Sequence, residues 1–131
     1  MHGVLLAFPV ALFPAALVSD IAYLNTAEIQ WSNFSSWLIA GADVFTGLLL
    51  AWAIISLFFG RLRNRRGRGL VYTGLVAVLF VAGVLNAFQH AKDGWHSVGT
   101  LGLALSILCA VIALLIGLLG HWPAPHREHR P

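Results

Sequence analysis

Few residues with chemical potential lie inside apolar surroundings, and they fall close to one another in type. Asp20 and Asp43 are carboxylates within greasy runs, Asn86 and His90 follow at a spacing of four, and His96 and His2 stand near the ends of such runs. The i, i+4 spacing sets Asn86 and His90 on one helix face. An ionisable group within a bilayer costs roughly 2.5 to 3.5 kcal/mol on insertion scales, so Asp43, flanked by Gly41 and Thr46, is a functional candidate by default. Carboxylate and imidazole together can share a proton, ligate a metal, hold a haem iron or hydrogen-bond a quinone.

Three readings of this cluster stay open. A metal site would use His90 and His96 with an acidic partner, although their spacing matches no ligand motif. A redox cofactor site would use histidines from two helices on a b-type haem, or His90 and Asp43 on a quinone. Haem ligands must share one membrane depth, and a helix from His2 upward sets it about 30 Å from His90. His2 with His121, or His90 with His96, would satisfy that condition. A structural cluster would pair Asp43 with His90, or bond it to Asn86 and Thr46, and so lock helices together. Other chemistries lack support. Cys109 is the one cysteine and lies in an apolar run, Ser56 and Ser106 have no base at motif spacing, and Gly67 and Gly69 form no phosphate loop. The histidines His121, His126 and His129 are irregularly spaced among Arg127 and Arg130, which opposes a cation.

The elements that must position these residues are legible from composition. Of 131 residues 59% are hydrophobic and 10% charged, against about 25% charged in soluble domains. Four runs reach the ~20 residues that a helix needs to cross a bilayer: about 3–24, 36–59, 69–88 and 98–120. They lack the alternation of barrel strands, so the expected fold is all-α, a four-transmembrane-helix bundle in a single membrane domain. Residues 121–131 read as a flexible tail. If the second helix starts at residue 36, Asp43 lies about 10 Å from its start, level with Asp20, Asn86, His90 and His96.

Pro9 and Pro14 fall within the first run, where Pro14 should bend the helix, although membrane helices tolerate proline. Five of the eight Lys and Arg residues, Arg61, Arg63, Arg65, Arg66 and Arg68, sit in the second connector. The positive-inside rule then puts this loop and both termini in the cytoplasm, as in a multi-pass protein of a bacterial inner membrane. Trp31, Trp37 and Trp95 suit an aromatic belt on the other side, and Trp122 marks the cytoplasmic interface. The positive charge is thus a topology signal, and nucleic acid is no partner.

The stretches His2-Gly3, Ala7-Phe8-Pro9-Val10-Ala11-Leu12-Phe13 and Ser19-Asp20 resemble the first helix of the bacterial membrane family numbered 2231 among domains of unknown function. Leu85-Asn86, Asp93-Gly94-Trp95 and Gly102-Leu103-Ala104-Leu105-Ser106 resemble its third and fourth helices. His2, Asp20, Asn86 and Ser106 carry over residue by residue, while Gly3 stands where the family has proline. The resemblance implies four membrane helices and, because similar domains occur joined to Rieske or sugar dehydrogenase modules, an association with redox systems. It suggests a membrane subunit or anchor that needs a redox protein partner, with haem or quinone as cofactor. The competing classes are a structural or interaction protein without cofactor and a small transporter subunit, which would call for a homo-oligomer because one four-helix unit encloses little pathway.

Overall fold

A computed structural model describes residues 1–59, 66–92 and 98–120. Among these residues four helices follow one another: α1 (His2–Thr26), α2 (Ile29–Phe59), α3 (Arg66–His90) and α4 (Thr100–Gly120). All four are long and apolar enough to cross a membrane. Among the described residues there is no strand. His96, Trp95, Trp122, His121 and the arginines Arg61, Arg63 and Arg65 lie outside the described residues, as does the expected tail.

Each helix packs on two neighbours, α1 and α3 both on α2 and on α4, so the four close into a ring around a shared core. The sequence cause is a seam with spacings of three and four. On α1 the buried positions are Leu6, Pro9, Phe13, Ala16, Ser19, Asp20 and Tyr23, and on α3 they run from Gly69 and Tyr72 through Val76, Leu79, Ala82 and Gly83 to Asn86 and His90. That period keeps one stripe of each helix facing its neighbours in a bundle. The opposite stripes carry Trp37, Phe59, Phe88 and Leu118, each at least 69% exposed. An outer surface of bare aromatic and aliphatic side chains is stable only in hydrocarbon, while serines and acids turn inward.

Both prolines lie inside a helix that runs unbroken from His2 to Thr26. Pro9 is buried against the core. α1 ends where Ala27 takes a left-handed conformation, φ 56°, and donates its amide N–H to the Tyr23 carbonyl at 2.7 Å. This closure reverses the chain within two residues and starts α2 at Ile29. α2 therefore begins seven residues before the expected start at 36, because Ile29–Ser35 continues the helix past the apolar run. At 31 residues α2 is about 46 Å long and overruns a ~30 Å hydrocarbon core. We call the end of the bundle with the α1–α2 turn the upper end, and the end with residue 1 the lower end.

Candidate site at the upper end

Asp20, Asn86, His90 and Ser106 come together inside the upper half of the bundle, on α1, α3 and α4. Each is at most 4% exposed. His90 reaches the carboxylate of Asp20, with Nε2 at 2.9 Å from Oδ1. The Ser106 hydroxyl donates to Asp20 Oδ2 at 2.5 Å, and Asn86 Nδ2 donates to Ser106 Oγ at 3.0 Å. His90 Nδ1 lies 3.0 Å from the carbonyl oxygen of Asn86 on its own helix.

These partners fix the protons. A carbonyl oxygen only accepts, so Nδ1 must carry a hydrogen and donate it to Asn86. The second nitrogen, Nε2, faces a carboxylate oxygen at hydrogen-bond distance, and two bare lone pairs would repel there. One proton therefore lies between Nε2 and Oδ1. Whether it sits on the imidazole or on the acid, the pair is neutral overall, which is why a carboxyl and a histidine can be sealed between membrane helices. Both oxygens of Asp20 are engaged.

Asp43 does not join this group. It is the fifteenth of the 31 residues of α2, at mid-helix and far from the upper mouth. The expected Asp43 to His90 pair is replaced by Asp20 to His90, and Thr46 donates instead to the Ala42 carbonyl at 2.7 Å. The reason is its level in the bundle: Asp43 packs against Gly83, about one turn below Asn86 and two turns below His90 on α3. Its carboxyl packs on Gly83 of α3, where a Cβ would collide with it and come within 3.0 Å of Phe13 Cζ. Asp43 Oδ1 is buried without a hydrogen-bond partner, as is Asn86 Oδ1.

His2 belongs to a separate cluster at the lower end, about 27 Å along α1 from Asp20. Its Nε2 is 2.7 Å from the Tyr72 hydroxyl, and its ring lies on Trp52 with centroids 4.4 Å apart. Trp52 thus serves as the platform for His2. Sequence reading gave no hint of the Tyr72 contact, and reached Ser106 only by family resemblance.

Above the network, His90 joins Ile29, Gln30, Ser32, Asn33, Ser36 and Lys92 in lining a cleft of about 280 Å³. Lys92 donates from Nζ to Gln89 Oε1 at 2.7 Å on its rim. The cleft is polar because the first two turns of α2 carry amides and hydroxyls toward the end of α3. A haem on His90 does not fit this arrangement, since both ring nitrogens are already engaged by Asn86 and Asp20. No group of three His, Cys, Asp or Glu side chains suited to a metal occurs among the described residues.

A ring of four membrane-length helices closed over a buried acid–imidazole pair defines a polytopic membrane protein. The family model described as a predicted membrane protein, DUF2231, matches residues 1–127, so the chain belongs to that family. Neither a curated protein nor a solved structure matches it.

Proposed function

We propose that this protein is a membrane subunit of a redox system, which seats a quinone headgroup in the cleft beside His90 and offers it the proton held by Asp20 and His90. The observation that carries the reading is the junction of two features: a polar cleft lined in part by His90, and a one-proton pair made by the same residue with Asp20, its side chains sealed beneath the cleft. Quinone chemistry couples electron transfer to proton transfer, with the electrons coming from a partner protein. The residues of this chain have simpler tasks. Asn33 and Lys92 supply hydrogen-bond donors for a carbonyl oxygen, while the Ser36 hydroxyl donates to the Ser32 carbonyl, and about 280 Å³ suits a headgroup better than a whole drug-sized ligand. Asn86 and Ser106 hold the pair in register.

In this reading the upper end faces away from the cytoplasm. The arginines of the second connector and both termini face the cytoplasm, in a bacterial inner membrane, as the charge asymmetry implies. A second reading, a structural membrane protein without cofactor, is favoured by the complete engagement of both Asp20 oxygens, which by itself ties α1, α3 and α4 together.

The two are separated by titrating the detergent-purified protein with a short-chain benzoquinone while following tryptophan emission. Trp31 and Trp37 lie beside the cleft residues on α2, at 42% and 73% exposure. Saturable quenching that weakens in Asn33→Leu and Lys92→Ala supports the quinone site. Quenching that rises without saturation, and equally in both variants, refutes it and leaves the structural reading.

A further inference from the structure

The carboxyl of Asp43, midway along α2, has no part in the upper network, and its surroundings define its state. From α3 it meets Gly83, from α1 Phe13, and on α4 Cys109 lies within electrostatic reach. Within α1, α2 and α4 the only other charged side chain is Asp20, and the Arg and Lys residues of α3 and its flank, Arg66, Arg68 and Lys92, lie at its two ends. Asp43 is 8% exposed, and its Oδ1 has no donor. An anion here would have neither a countercharge nor a hydrogen bond, whereas a carboxylic acid carries its own donor.

A second buried oxygen completes the picture. Asn86 Oδ1 is likewise without a donor. Asn86 follows Gly83 by three residues, on the same face of α3 and about 4.5 Å farther up. Two buried acceptors lacking donors, one at the level of Gly83 and one on Asn86 a turn along the same helix, are what a protonated acid and one bridging water would satisfy. The Nδ2 of the same Asn86 is already bonded to Ser106, which is bonded to Asp20.

We infer that Asp43 is a proton-binding site, a neutral carboxylic acid in the resting protein, whose proton exchanges with the upper end of the bundle by way of Asn86. The inference does not depend on what occupies the cleft. Only protons move: the carboxyl gives its proton to the water held by Asn86 Oδ1 as that water returns another to it, so the amide keeps both of its own hydrogens and no electron donor is involved.

Infrared spectroscopy of the protein in lipid vesicles at neutral pH, with ¹³C-carboxyl aspartate, tests it. A carboxylic acid carbonyl band that shifts with the isotope is expected, and it should vanish in Asp43→Asn, an isosteric and neutral change. Should that variant fail to fold, Asp20→Asn protein gives the same reading, since only Asp43 and Asp93 then remain as aspartates. Transfer to D₂O should shift the band, and Asn86→Leu should slow that shift roughly tenfold, the scale of one lost hydrogen bond. The absence of an Asp43-dependent acid band overturns the proposal, and so does an exchange rate that Asn86→Leu leaves unchanged.

Discussion

Replacing Asp20 by asparagine should cost little, although it removes a buried acid from a histidine. In Asp20→Asn the amide can be oriented with Nδ2 toward His90 and Oδ1 toward Ser106. Nδ2 then donates to His90 Nε2 while Oδ1 accepts from the Ser106 hydroxyl, so every partner of the wild-type carboxyl is kept. The expected loss is within about 1 kcal/mol, the net worth of a typical hydrogen bond. Asp20→Leu has a similar volume but strands His90 Nε2 and the donor hydrogen of Ser106, whose oxygen still accepts from Asn86, in the core. Hydrogen bonds between membrane helices average about 0.6 kcal/mol, so two lost bonds set a floor of about 1 kcal/mol. Removing one partner of a buried pair sets a ceiling of about 5 kcal/mol. The rigid enclosure of both stranded groups puts the expected loss near the middle, about 3 kcal/mol. Reversible unfolding in mixed micelles, followed by far-ultraviolet circular dichroism, measures both values. Equal losses for Asn and Leu, or no loss for Leu, would refute the shared-proton geometry.

Three further outcomes follow from the packing. Gly83→Ala drives a methyl into the Asp43 carboxyl and the Phe13 ring and should destabilise by about 1 to 3 kcal/mol in the same assay, whereas Gly74→Ala meets open space on the same helix and should be neutral or stabilising by up to about 1 kcal/mol. Tyr72→Phe removes the hydroxyl bonded to His2, at a cost of about 0.5 to 1.5 kcal/mol, and should alter the emission of Trp52 because His2 loses the bond that holds it on the indole. In a Cys109→Ser background, an impermeant thiol reagent added to spheroplasts should label a cysteine at Asn33 and not one at Arg68; the reverse pattern inverts the proposed orientation.

The helices themselves were readable because hydrocarbon imposes a length and a composition that soluble folds do not. The upper start of α2 was not readable, since Ile29–Ser35 mixes amides, hydroxyls and aromatics, and such a segment is helical through continuation from the turn at Ala27 more than through apolar content. Asp43 lies against Gly83, a turn below Asn86, and the small size of Gly83 reads in sequence only as a place for close helix approach. Asp20, Asn86 and His90 were legible as polar residues inside apolar runs. Their partners were not, because Asp20 and His90 are 70 positions apart and Ser106 and Asp20 are 86 apart, and only the closed ring of helices brings them together.

The proton between Asp20 and His90 is the centre of this account, and nitrogen-15 NMR of histidine-labelled protein in lipid nanodiscs observes it directly, with His90→Gln assigning the signals. The geometry predicts that His90 Nδ1 carries its own directly bonded proton and that a second proton is shared between Nε2 and the Asp20 carboxyl. A His90 ring whose only proton resides on Nε2, with a bare Nδ1 facing the Asn86 carbonyl, would contradict it.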